Sequence, residues 1–188
     1  MTTSELERIN VDTLLLGNLV IERSDSRVRT FLEAAPERSA SIERTGPRTT
    51  DRCYIGSRDS RVLNAHLNER KFDLIVGRGQ YLKRTYRIIA KIDDRYVSLR
   101  PKDIETATFL NGKPHEIEKE FGELTARSDG SVEVFWALPK KVLHKKVDPP
   151  IPTSDDILVG YAIAAAFGTS ALSFTSILMG FVSAAMPG

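Results

Sequence analysis

The sequence predicts an α+β fold: a mainly antiparallel sheet with two or three short helices, plus one C-terminal transmembrane helix. Three observations predict it. Tyr81 to Ile92 alternates apolar and polar side chains, turns at Asp93-Asp94 and returns as Tyr96 to Arg100, a hairpin pattern. Elsewhere, apolar residues recur at helical spacing, as at Val28, Phe31, Leu32 and Ala35. Finally, Ile157 to Met186 contains no Asp, Glu, Lys, Arg, His, Asn or Gln.

In chain order, Val11 to Ile21 carries a strand signal, with Val11, Leu15, Leu19 and Ile21 on one face. Ser24-Asp25 supplies N-cap residues for a helix that Pro36 stops. Glu37 to Asp51 is polar, contains Gly46-Pro47 and reads as a long loop, a place to look for partner contacts. Cys53 to Ile55 is a short strand candidate. Ser57, Asp59 and Ser60 then precede a second helix with Val62, Leu63, Leu67 and Phe72 on its buried side. Asp73 to Val76 forms a brief strand ending at Gly77-Arg78-Gly79. Glu105 to Leu110 gives another, closed by the turn dipeptide Asn111-Gly112. A third helix places Ile117, Phe121 and Leu124 inward. The final hairpin pairs Leu124 to Arg127 with Val132 to Leu138 through Ser128-Asp129-Gly130. The chain thus divides into a soluble domain over 1–138, a Lys/Pro-rich linker over 139–156 and a membrane helix over 157–186.

The membrane expectation rests on length. Crossing about 30 Å of hydrocarbon takes roughly 20 apolar residues, and the chargeless run exceeds that. A buried core helix is the alternative, because Ala, Gly, Ser and Thr dilute the large apolar residues. Gly160, Ala164, Gly168, Ser176, Gly180 and Ala184 fall on a four-residue ladder broken only by Leu172. Small residues at that spacing let helices approach closely in lipid, which points to other membrane-protein subunits or self-association as partners. Lys140, Lys141, Lys145 and Lys146 precede the run and suit anionic headgroups. By the positive-inside rule they put the N-terminal domain of a single-pass, tail-anchored protein on the cytoplasmic or equivalent side. Asp155 and Asp156 are placed to cap the helix.

Charge is uneven along the chain. The formal net charge is +2, but Glu22 to Pro101 carries 15 Arg and 3 Lys against 11 acidic residues. Such a region either contacts phosphate or headgroups or forms a solvated surface of local ion pairs. Lys83, Arg84 and Arg87, interleaved with Tyr81 and Tyr86, form a basic surface, but no RNP-like motif accompanies them and nucleic acid is not the expected partner. Cys53 stands alone, so no disulfide framework is expected and a reducing compartment is. The N-terminus lacks the apolar core of a secretory signal.

No motif specifies a reaction. Gly77-Arg78-Gly79 follows a strand, as a phosphate loop does, but lacks the third glycine and the Gly-Lys-Ser/Thr of a P-loop, so it reads as a turn. Cys53 and His66 have nothing to fix them as neighbours, and the three histidines have no metal-binding spacing. Glu116, Glu118, Glu120 and Glu123 read as a solvated face. No cofactor is expected. The function class is a non-enzymatic, membrane-anchored structural or accessory subunit of a multi-subunit membrane assembly. The alternative is a membrane-permeabilising protein acting through its Gly/Ala/Ser-rich C-terminal helix, with Thr169, Ser170, Ser173, Thr175 and Ser176 facing water.

Overall fold

Eleven consecutive segments form strands, and most of them turn apolar residues to one inner face. The computed structural model describes residues 6–80, 82–116, 119–142 and 145–170. The strands are β1 (Glu7–Asp12), β2 (Asn18–Ser24), β3 (Arg27–Leu32), β4 (Ala35–Arg44), β5 (Leu63–Leu67) and β6 (Arg70–Val76). They continue as β7 (Ile88–Ile92), β8 (Arg95–Pro101), β9 (Thr106–Asn111), β10 (Glu120–Ala126) and β11 (Val132–Trp136). All eleven pair in sequence order, each neighbour antiparallel, as one up-and-down sheet. The sheet curls into a near-barrel. No ladder joins β1 to β11, but Trp136 Nε1 donates to the Thr13 carbonyl at 2.8 Å across the gap.

The one α-helix, α1 (Ser154–Phe167), runs inside this sheet and is buried on every side from Asp156 to Phe167. A helix apolar all round needs an environment apolar all round, and here the inner sheet face supplies it. Thr153 caps α1 in a reciprocal box with Asp156, whose carboxylate also meets Arg95. The Thr30 hydroxyl donates to the Leu158 carbonyl at 2.8 Å. Gly160 sits against the Phe109 ring, where a Cβ would come within 2.5 Å of the ring edge. Phe109 in turn packs on Phe121 at 5.0 Å between centroids.

Mainly antiparallel sheet is therefore correct, but the two or three short helices are not: one α-helix is present among the described residues. The helix expected after Ser24 is β3. Its alternation was hidden because the inward position between Val28 and Leu32 is Thr30, polar yet bonded to α1, while outward-facing Phe31 is covered by Arg8 and Arg29. The loop expected over 37–51 contains most of β4, which offers only Ala40 and Ile42 as apolar inward residues. The helix expected around Val62 to Phe72 is the β5–β6 hairpin, turned by Asn68 and Glu69 with φ of 48° and 68°. Both residues have the left-handed geometry of a two-residue hairpin, but without the glycine that would mark it. The expected third helix gives way to β10, where a bulge between Glu120 and Gly122 interrupts the alternation. Of the strand expected over Tyr81 to Ile92, only β7 is extended, and Lys83–Tyr86 is a 3-10 turn.

The expected C-terminal transmembrane helix is corrected in its first part. Residues 157–167 form the buried alternative, and no helix among the described residues is long and apolar enough to cross a membrane. Ser176, Gly180 and Ala184 of the ladder lie outside the described residues. The region before α1 contains a small hairpin of β12 (Lys140–Val142) and β13 (Lys145–Val147).

Candidate functional site

The two ends of the sheet differ because alternate strands run in opposite directions while α1 passes between them once. Glu120 opens β10 beside Lys140, at 3.5 Å, and Ala126 closes it beside Thr169, whose hydroxyl accepts from the Ala126 amide at 2.8 Å. Seven residues of strand separate these points by about 20 Å. The chain thus enters the sheet at a lysine-bearing end and leaves at the other.

The exit is held at several points. Gly168 ends α1 with φ 77°, and its amide returns to the Ala164 carbonyl. The Ile55 amide donates to the Ala166 carbonyl at 2.9 Å, tying the 45–60 loop to the last turn. Thr169 also donates to the Glu105 carbonyl, so its hydroxyl clasps β9 and β10 together.

Beside the exit lies a cleft of about 900 Å³ between the 49–61 segment and the loop after β6, lined by Arg52, Arg58, Arg61 and Arg78 with Thr50 and Ser60. Arg58 connects cleft to exit. Its guanidinium lies 5.6 Å from the Phe167 ring centroid and 5.4 Å from that of Tyr86. It donates to the carbonyls of Gly77 at 2.7 Å and Tyr86 at 3.3 Å. Gly79, at φ 66°, leaves the room Arg58 occupies: a Cβ there would come within 2.9 Å of its Cδ and Nε. The Gly77-Arg78-Gly79 turn is therefore shaped around an arginine. Burial pulls the Arg58 pKa below the ordinary arginine value.

Charge in the cleft is only partly balanced. Asp59 pairs with Arg61 at 2.7 Å, and the hydrogen bonds from Arg61 hold the Asp59 carboxyl at about 2. Arg58 and Arg52 bond carbonyls only, Arg52 reaching that of Gly79 at 3.1 Å. Among the described residues, Arg52, Arg58 and Arg78 have no carboxylate within ion-pair distance. By contrast, Arg44 and Arg48 at this end share Asp25, whose pKa they lower, chiefly through Arg48.

Of the residues singled out from the sequence, Gly160 and Ala164 are buried within the sheet and Gly168 terminates α1. Lys140 pairs with Glu120, Lys146 with Asp148 at 3.1 Å, and Lys141 is exposed; Lys145 opens β13. Lys83, Arg84 and Arg87 sit on the loop beside the cleft, not on a sheet face, and the Lys83 ammonium donates to the Lys102 carbonyl at 3.0 Å. Cys53 is buried in the 45–60 loop and its thiol is pushed up by burial, whereas His66 sits at the far end of β5 opposite Lys71. They are not partners. The cleft arginines Arg52, Arg58 and Arg61 were visible only as part of a general Arg excess; nothing in their spacing distinguishes them from paired neighbours.

Comparison with protein-family models, curated proteins and solved structures finds no match for this chain.

Proposed function

We propose that this is a non-enzymatic, membrane-associated structural or accessory protein, in which the sheet carries and orients a lipid-seeking C-terminal segment. The observation that carries the reading is the division of the chargeless run at Gly168. Up to Phe167 its apolar surface is satisfied by the sheet. Beyond Ser170 the sequence continues without a charged residue to Gly188, and this reading assigns that part to lipid. Lipid then concerns residues 171–186 and not 157–186. The cations nearest the exit are arginines, and the lysines of the β12–β13 hairpin lie at the other end, so headgroup contact passes from Lys140 and its neighbours to the arginine-bearing end.

A second reading, permeabilisation, is favoured by one observation. The segment is rich in small and hydroxyl-bearing residues, with Ser173, Thr175 and Ser176 among them, and a polar stripe of this kind suits a water-facing surface in a membrane oligomer. Flotation of the full-length chain with phosphatidylcholine vesicles tests the first reading. The wild type is expected to float and Ile177→Asp/Phe181→Asp to remain at the bottom; equal behaviour of the two removes the reading. Release of an encapsulated dye on binding selects permeabilisation, and binding without release selects anchoring.

A further inference from the structure

The cleft beside the exit carries an inference of its own. Arg58 is a partly buried cation whose bonded partners are two neutral carbonyls and two ring faces. A desolvated charge without a counter-charge is costly to hold, and here the turn at Gly79 is shaped to accommodate it. Arg52 and Arg78 are exposed on the same cleft, also without a carboxylate partner among the described residues. The lining adds the hydroxyls of Thr49, Thr50 and Ser60, and its one carboxylate among the described residues, Asp59, is neutralised by Arg61. Three guanidinium forks and neutral hydroxyl donors match an anion with several acceptor oxygens. The cleft, about 900 Å³ and open to solvent, has room for a phosphate and for a group esterified to it. Among the described residues, no aromatic ring lines the cleft to stack a nucleobase.

We propose that this cleft binds a phosphate group, through Arg52, Arg58 and Arg78 with the hydroxyls of Thr49, Thr50 and Ser60. A phosphomonoester lipid headgroup and soluble phosphate share this chemistry. The lipid source rests on the membrane reading above; the phosphate site does not. Its position fits the lipid source, because Arg58 stacks on Phe167, two residues before the Thr169 clasp. A headgroup held there would lie beside the point where the uncharged segment leaves the sheet.

The test titrates the full-length protein with inorganic phosphate by calorimetry, against chloride at equal ionic strength. Arg52→Gln/Arg78→Gln is the deciding variant because both side chains are exposed; Arg58→Gln is added with its melting temperature recorded, since Arg58 also holds the 77–86 loop. The wild type is expected to bind phosphate in preference to chloride, and the double variant to bind it about tenfold more weakly or worse. Absence of preference, or equal affinity in the double variant, overturns the proposal. In a second arm, flotation compares phosphatidylcholine vesicles with and without phosphatidic acid. Wild-type preference for phosphatidic acid that the double variant loses identifies the lipid headgroup. Phosphate binding without that preference keeps the site and identifies a soluble phosphate. Equal flotation of wild type and double variant on both vesicles, with no phosphate binding, leaves the membrane reading standing and removes this one.

Discussion

The two ends of the sheet carry the same sign of charge and use it differently. At the end where α1 begins, cations meet carboxylates: Arg95 with Asp156, Arg38 with Asp155, Lys140 with Glu120 and Lys146 with Asp148. At the end where α1 stops, Arg44, Arg48 and Arg61 are paired, while Arg52, Arg58 and Arg78 surround a cleft with no carboxylate of their own among the described residues. One end closes the fold electrostatically and the other leaves positive charge available next to the chain's exit. Residue counts along the sequence do not reveal the three cleft arginines that lack a carboxylate; the pattern of ion pairs does.

The contrast can be broken most forcefully through the packing of α1. Gly160→Val places a Cβ and two methyl groups against the Phe109 ring, which is itself fully buried. Overpacking of this kind costs about 3 kcal/mol or more, read as a lower denaturation midpoint. Pairing it with Phe109→Leu should recover part of that loss; no recovery would place the clash elsewhere.

At the lysine-bearing end, Arg95→Ala strands the buried Asp156 carboxylate. Complete burial would make this cost about 3–5 kcal/mol. Arg95 is itself 39% exposed and Thr153 continues to bond Asp156, so about 2 kcal/mol is expected. An unchanged midpoint would mean the capping box alone satisfies Asp156.

Tyr161 sharpens the picture with the opposite sign. Its hydroxyl is the buried side-chain polar atom without a hydrogen-bond partner among the described residues, and burial pushes its pKa well above the ordinary tyrosine value. Tyr161→Phe removes an unpaired donor and should stabilise the fold by about 1 kcal/mol. Destabilisation instead would reveal a partner for that hydroxyl.

The smallest effect is at the cleft. Asp59 has its folded pKa depressed to about 2 from the unfolded 3.8. Its contribution to stability is therefore fully present above about pH 4 and lost as pH falls through about 2. Carboxyl resonances followed by NMR should show Asp59 titrating near 2, and Arg61→Gln should return it toward 3.8.

Much of the sheet was legible, and the failures share a physical origin. Tyr96 to Arg100, Glu105 to Leu110 and the Ser128-Asp129-Gly130 hairpin were readable because alternation and turn residues agreed. Val28 to Ala35 and Val62 to Phe72 were misread where a partner outside the segment satisfied an awkward residue. Thr30 is acceptable on an inner face because of the Leu158 carbonyl, and Asn68-Glu69 turns without glycine. The chargeless C-terminus was legible as apolar, but composition does not say whether lipid or protein surrounds it. Phe109 against Gly160 answers that for α1. The cleft was illegible because it joins the 49–61 segment to the loop after β6, and because Arg58 is distinguished by what it lacks.

Locking α1 in place gives the most direct test of the division at Gly168. Ile55 and Ala166 are joined by a backbone hydrogen bond of 2.9 Å. In a Cys53→Ser background, Ile55→Cys with Ala166→Cys puts two thiols at hydrogen-bonded backbone positions, and loss of free thiol on oxidation identifies the cross-linked chain. Vesicle flotation of the oxidised full-length chain should equal that of the reduced chain, because only residues beyond the exit are proposed to meet lipid. Loss of flotation on oxidation, restored by reductant, would mean α1 must leave the sheet to reach the membrane and would contradict the account.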